Sequence, residues 1–300
     1  MRAAGWFLAA IVGTLLLAAL VAWPVYQFAH ALQPAWAFHK VIGRFWQLLM
    51  LAGIAIAVWR LGLRGRADWG YGLPRARFLR QASAGLMAGL ATMLPMALVI
   101  VALGIRNPRP AFDAGMLLSG IATGAVTGLL VAFVEETFFR GLMFRAVLRD
   151  AGAATAVCTT ALLYAAIHFF ARVNVPHPEV HWDSGLALLG AALARFADPL
   201  PIADAFITLA LVGLLLGLVR LWTGSIGAGI GLHMGWVCVI KATAKVTHQD
   251  PAAPWSFLVS DFDGFTGWLV AGWSCAILLA LCLARGRFSG WRIAAPEFPR

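Results

Sequence analysis

The sequence predicts an all-α, polytopic membrane protein, and two features of its composition lead to that prediction. Of its 300 residues, 61% are hydrophobic and only 12% are charged, whereas soluble domains carry about 25% charged residues. A chain with so few polar groups cannot cover a water-facing surface of its own size, which excludes a soluble enzyme and a disordered regulator. Apolar runs of about 20 residues, the length that crosses a bilayer as a helix, also recur along the chain.

About eight of these runs are long enough to span, and charged residues, proline or glycine separate them. They lie at residues 5–28, 43–63, 82–104, 117–147, 153–172, 202–222, 225–246 and 265–284. We expect these helices to form one bundle. A further run at 184–196 is short and contains Arg195, so an interfacial or re-entrant segment is expected there.

The distribution of charge predicts the orientation of the bundle. In a soluble protein the net charge of +10 would suggest nucleic acid as a partner, but basic residues also gather at the cytoplasmic ends of membrane helices. Most Lys and Arg fall on the cytoplasmic side if both termini are cytoplasmic, including the arginines between residues 60 and 80. We therefore expect an integral protein of the bacterial inner membrane, N-in and C-in. Its arginine cluster would bind anionic lipids, and nucleic acid would not be a partner.

Three of the runs contain ionisable residues away from their ends, and such residues are rare in membrane helices. A charged side chain costs about 2.5–3.5 kcal/mol at the centre of a spanning helix on insertion scales, so such residues are functional candidates. The fourth run contains Glu135, Glu136 and Arg140, the fifth contains His168, and the seventh contains His233.

The two adjacent glutamates are expected to have different tasks, because successive helical side chains project about 100° apart. Arg140 follows Glu136 by four residues and can form an ion pair with it on one helix face. Glu135 lacks that partner and is free to face a polar cavity, where it can act as a general base on water. A network that only locks the helix is the alternative interpretation.

His168 and His233 lie at membrane depths similar to that of Glu135, so the three can converge on one site. One glutamate and two histidines can activate water by base catalysis or hold a metal ion that does so, and the sequence leaves both open. Motifs of other intramembrane proteases are absent from the sequence: it has no HExxH, no GxSxG and no pair of aspartates within the predicted spans.

Three motifs follow one another in these runs. They are EExxxR at residues 135–140, an aromatic residue four positions before a histidine at 164–168, and a histidine motif at 233–237. This arrangement resembles the CPBP family of intramembrane proteases (CAAX protease and bacteriocin-processing, or Abi). The eukaryotic relative of that family is the Ras-converting prenyl-protein endopeptidase. The resemblance covers roughly residues 115–245.

The resemblance implies a single all-α domain of eight helices around a membrane-embedded catalytic cavity. Residues 115–245 would be the catalytic core, residues 1–114 the N-terminal helices, and residues 246–300 a C-terminal loop, helix and cytoplasmic tail. It further implies an endopeptidase whose substrate is a peptide or a membrane-anchored protein segment.

The resemblance also implies a role for each site residue. Glu135 activates the attacking water with help from His168, His233 binds or polarises the scissile carbonyl, and Glu136 and Arg140 order the site. The family has been described both as metalloproteases and as glutamic proteases. We favour the glutamic mechanism, which needs no cofactor; in the alternative, Glu135, His168 and His233 hold a divalent metal such as zinc.

Two positions depart from the family's motifs. Tyr164 stands where phenylalanine is usual, and it keeps the aromatic ring that supports the site. Val237 stands where asparagine or aspartate is usual, so an amide donor for the oxyanion is missing unless Trp236 or Thr160 supplies one. This departure leaves a second function open, either a binding or immunity protein with impaired proteolysis or a proton-coupled transporter.

Overall fold

A computed structural model of the chain describes residues 2–169 and 175–287, and most of these lie in helices. The α-helices are α1 Arg2–Leu20, α2 Ala22–Leu32, α3 Phe38–Leu61, α4 Arg75–Ala102, α5 Ala114–Glu135, α6 Phe144–Ile167, α7 Ser184–Ala197, α8 Ala203–Thr223, α9 Gly227–Val246 and α10 Trp268–Arg287. A π-helical turn, Glu136–Met143, joins α5 to α6. The strands β1 Arg106–Pro108 and β2 Thr247–Gln249, which follow α4 and α9, pair antiparallel. The predicted all-α class is confirmed, while the predicted tail beyond residue 287 and the end of the 153–172 run lie outside the described residues.

By length and composition, five helical stretches in the described part of the chain can cross a membrane. They are Arg2–Leu20, Phe38–Leu61, Arg75–Ala102, Ala114–Ile167 and Leu200–Thr223. The number differs from the predicted eight because the stretch 114–167 contains two of the predicted runs. In addition, two predicted spans are not among the five. α9 contains two lysines, and the apolar part of α10, Trp268–Ala284, is shorter than 18 residues. The protein is therefore a polytopic membrane protein.

Two boundaries show how proline and glycine divide the apolar runs. The predicted run 5–28 is interrupted, since α1 ends at Leu20 and α2 begins at Ala22. A helical proline collides with the carbonyl group four residues before it, and for Pro24 that carbonyl belongs to Leu20. Gly152, with φ 83° and ψ 176°, separates the runs 117–147 and 153–172 as predicted, because this backbone conformation is favourable only for glycine.

Glycines allow α9 to lie directly against α4 and α5. A Cβ atom at Gly124 of α5 would stand 2.7 Å from the carbonyl oxygen of Cys238 in α9, and Gly85 of α4 faces the α9 backbone with as little room. Small residues at such contacts let helix backbones approach closely within a membrane. The position of the α9 turn that carries His233 is therefore fixed from two sides.

The remaining helices complete the surroundings of the site. α6 packs on α8, α8 packs on α10, and α1 packs on α3. A buried aromatic cluster joins α1 to the π-helical turn, where the ring centroids of Phe7 and Phe138 are 5.9 Å apart. The short α7 packs on α1, in agreement with the expectation that the 184–196 run does not span by itself.

Candidate active site

The EExxxR motif departs from α-helical geometry. Glu135 is the last residue of α5, and the next eight residues, Glu136–Met143, form the π-helical turn. Such turns insert extra backbone length into a helix and occur frequently at functional sites. Every side chain of the turn except that of Thr137 is buried, so the turn directs the charged residues of the motif into the protein.

Glu136, Arg140 and His233 form a buried polar network. Oε1 of Glu136 accepts a hydrogen bond from Nη1 of Arg140 at 3.1 Å, the ion pair that their spacing predicts, and neither side chain is exposed. The same oxygen lies 3.2 Å from Nδ1 of His233. Arg140 also donates through Nη2 to the carbonyl oxygen of Gly213 in α8 at 3.2 Å. Because buried charges are tolerated only when paired and hydrogen-bonded, the network has little freedom to rearrange.

The neighbouring glutamate has a different environment. The side chain of Glu135 is 24% exposed and lines a cavity. Its Oε2 atom lies 3.9 Å from Nε2 of His233. His233 therefore faces both glutamates, with Nδ1 toward Glu136 and Nε2 toward Glu135. One carboxylate is enclosed by an ion pair, and the other reaches the cavity.

His168 follows the last residue of α6 and lines the same cavity as Glu135. Its Nδ1 atom lies 2.7 Å from the carbonyl oxygen of Tyr164. A carbonyl oxygen can only accept a hydrogen bond, so Nδ1 carries the proton and Nε2 of the neutral ring keeps its lone pair. This tautomer can accept a proton at Nε2.

The buried ring of Tyr164 packs at the centre of the three motifs. Its centroid is 4.7 Å from that of His168 and 6.3 Å from that of His233, and both contacts are edge-on. Cζ of Arg140 lies 4.5 Å from the same centroid, within range of a cation–π interaction. The ring and the backbone carbonyl make all of these contacts, so the aromatic residue of the second motif supports both histidines.

The cavity has a volume of about 1570 Å³ and lies between α3, the loop that follows it, and α5. Apolar residues of α3 form much of its lining, and Tyr71 in the loop and Thr137 in the π-helical turn also contribute. The two hydroxyl oxygens are 2.6 Å apart, and burial raises the pKa of the Tyr71 phenol, which keeps it neutral. Nothing in the sequence around Tyr71 indicated this contact, because it joins residues far apart in the chain.

Two residues considered as oxyanion donors make other hydrogen bonds. Nε1 of Trp236 donates to Oγ1 of Thr92 in α4 at 2.9 Å. The Thr160 hydroxyl donates to the carbonyl oxygen of Ala156 at 2.8 Å. An indole has a single N–H, so the donor of Trp236 is used in a contact between helices and is not directed at Glu135 or His168.

The glutamates and histidines of the site are also the candidates for holding a metal ion. Within residues 2–169 and 175–287, no group of three or more His, Cys, Asp or Glu side chains is arranged to hold a metal ion. One nitrogen of His233 faces Glu136, and one nitrogen of His168 is bonded to a backbone carbonyl.

Residues 117–239 match the model of a protein family described as type II CAAX prenyl endopeptidase Rce1-like. Comparisons with curated proteins and with solved structures gave no match. At the level of the family, the match supports an intramembrane endopeptidase of the CAAX type. The matched segment contains all three motifs, so the resemblance of this chain to the CAAX protease family is confirmed.

Proposed function

We propose that the protein is an intramembrane endopeptidase that cleaves a peptide or a membrane-associated protein with a water molecule activated by Glu135. One observation supports this function most strongly: Glu135 and His168 line the same cavity, and His233 connects Glu135 to the buried ion pair. A helix-locking network needs only the buried glutamate, so the one that reaches the cavity is available for chemistry.

Glu135 is the proposed general base. Its carboxylate takes a proton from a water in the cavity while the water oxygen bonds to the scissile carbonyl carbon. The same proton is then given to the departing amine nitrogen as the peptide bond breaks. A positioned acid–base group contributes about 10²–10⁴-fold to the rate. His168, with its lone pair on Nε2, is the proposed second proton acceptor at the same water.

His233 is the proposed partner of the scissile carbonyl. Its two ring nitrogens face carboxylate oxygens, Nδ1 toward Glu136 and Nε2 toward Glu135, and both nitrogens donate only in the imidazolium form. Nε2–H would then be a donor on the side of Glu135, where negative charge develops on the carbonyl oxygen. This assignment supplies the donor that Val237 cannot provide.

The proposed substrate follows from the cavity and from the matched family. An apolar cavity bounded by membrane helices suits a segment held in the bilayer, by its own apolar residues or by an attached lipid. The family's description as a prenyl endopeptidase favours a segment with a lipid anchor, so peptides should be offered both with and without a prenyl group.

The experiment compares cleavage of such a peptide library by purified wild type, Glu135→Gln and His168→Ala. Glu179→Gln serves as a control, because Glu179 is an exposed acid outside the cavity. We expect cleavage by wild type and the control, and loss of cleavage in the two site variants. Cleavage that survives both substitutions would disprove the mechanism.

The alternative functions correspond to other outcomes of the same measurement. Peptide binding by wild type without cleavage would favour an impaired immunity or binding protein. Proton movement in proteoliposomes that depends on Glu135 but needs no peptide would favour a transporter. For the glutamic mechanism, full activity must also persist after exhaustive chelation, with metal analysis showing that the preparation is metal-free.

The orientation and lipid contacts are part of this proposal. With N-in and C-in topology in a bacterial inner membrane, the loop after α3 and its arginines face the cytoplasm and anionic lipids. Single-cysteine labelling at Arg66 and at His181 in intact cells tests this. Only the position at His181 is expected to react with an impermeant reagent.

A further inference from the structure

Arg220 is a buried cation that the proposed chemistry does not use. It lies in the last turn of α8 with 2% of its surface exposed. Among the described residues, no carboxylate forms an ion pair with it. Its Nε donates instead to the backbone carbonyl oxygen of Arg140 at 2.8 Å. A buried charge without a counter-charge is unfavourable. The burial of Arg220 therefore has to be explained by the hydrogen bond that it makes.

The geometry of the π-helical turn explains why Arg220 donates to this carbonyl. In an α-helix the carbonyl of Arg140 would accept a hydrogen bond from the N–H of Phe144. Here the N–H of Phe144 is directed to the carbonyl oxygens of Gly141 and Phe139. A buried backbone carbonyl needs a partner, and Nε of Arg220 takes the place of the missing N–H.

Helix α8 holds the other end of Arg140 as well. The guanidinium donates through Nη2 to the carbonyl oxygen of Gly213. Gly213 and Arg220 are seven residues apart, about two helical turns, and so lie on one face of α8. One helix therefore fixes both the backbone and the side chain of the arginine that pairs with Glu136.

We infer that Arg220 is a positioning residue, which holds the π-helical turn in place through the carbonyl of Arg140 and thereby aligns Glu136 and His233 next to Glu135. The kinetic consequence rests on the proposed peptidase function. The effect on the local structure does not, and it can be measured without a substrate.

The first measurement is hydrogen–deuterium exchange on the full chain in detergent, comparing wild type with Arg220→Met and Arg220→Lys. We expect exchange of the peptide covering residues 136–147 to rise about tenfold to a hundredfold in Arg220→Met, since a hydrogen bond to a charged group is lost. Lysine can reach the same carbonyl, so Arg220→Lys should stay near wild type. Arg149→Met, an exposed arginine of α6, controls for the loss of a positive charge.

The second measurement is the rate of peptide cleavage per folded enzyme. We expect Arg220→Met to lower kcat about tenfold or more with little change in KM, and Arg220→Lys to restore most of it. The double variant Arg220→Met/Arg140→Met should be no slower than Arg140→Met alone, because both act through one network.

The outcomes separate this inference from the proposed function. A wild type that cleaves nothing would contradict the peptidase, while the exchange data would still decide the role of Arg220. Unchanged exchange at residues 136–147, or a rise spread evenly over the chain, would overturn the inference. Additive effects in the double variant would overturn it as well.

Discussion

Two adjacent glutamates, Glu135 and Glu136, occupy opposite kinds of environment in this protein. Glu136 is fully buried, pairs with Arg140 and touches His233, while Glu135 is partly exposed on a cavity. The two residues have the same chemistry and differ only in which neighbouring helices surround them. In the proposal, position in the fold decides which carboxylate orders the site and which one reacts.

The two sides of the site are also built differently. The buried side is formed by helices in close backbone contact, with glycines where α9 meets α4 and α5. The cavity side is formed by longer apolar side chains of α3 and by a loop. Substitutions on the two sides should therefore separate effects on stability from effects on catalysis.

Glu135→Gln should give the largest effect on catalysis. The substitution removes the proposed base and keeps the shape of the side chain, so kcat should fall about 10²–10⁴-fold. No ion pair with a permanent cation is broken, so the midpoint of thermal unfolding should stay within a few degrees of wild type. Kinetics on the cleaved peptide and thermal scans in detergent provide the two readouts. A large loss of stability would show that Glu135 belongs to the locking network.

Glu136→Gln should instead lower stability and activity together. Removing one partner of a buried ion pair leaves the other charge uncompensated, which costs about 3–5 kcal/mol. The measurement is the free energy of unfolding by detergent titration, together with the cleavage rate. Asp68→Asn, which breaks the ion pair with Arg145, is the control; the side chains of this pair keep 18% and 7% exposure, so the loss should be smaller than for the fully buried pair. Equal losses in both variants would contradict the assignment.

Gly229→Ala should produce an intermediate effect through Glu136. A Cβ atom at this position would stand 2.8 Å from Oε2 of the carboxylate, so the carboxylate must shift. We expect kcat to fall about tenfold, because displacements of up to 1 Å at an active site can cost about 10²-fold. Gly13→Ala, where the added Cβ meets nothing within 4 Å, should leave the rate unchanged. Equal rates for both alanine variants would show that the position of Glu136 does not matter.

Tyr164→Phe should have the smallest effect. The ring makes the contacts with both histidines and with Arg140, and phenylalanine keeps that ring. We expect kcat and KM within about twofold of wild type, while Tyr164→Ala should lose activity because His168 and Arg140 lose a buried aromatic neighbour. A large loss in the phenylalanine variant would instead assign a catalytic role to the hydroxyl.

The sequence predicted much of the fold, because apolar length and charge determine where helices begin and end in a membrane. It also predicted the Glu136–Arg140 ion pair, which depends only on local spacing. The π-helical turn was not predicted, because nothing in its composition distinguishes it from an α-helix. The contacts of Arg220 and of Tyr71 join segments 80 and 66 positions apart, so only the packed structure reveals them.

The glycine contacts of α9 have a mechanical consequence. Where one backbone lies against another, no side chain can change rotamer to absorb a displacement, so α9 cannot slide past α4 or α5 in small steps. We expect His233 to behave as a fixed reference point during the reaction. Any widening that admits a bulky substrate is then expected to come from α3 and its loop, where side chains form the lining. In the proposed mechanism, closely packed helices hold the catalytic residues in place, and the α3 side of the cavity adapts to the substrate.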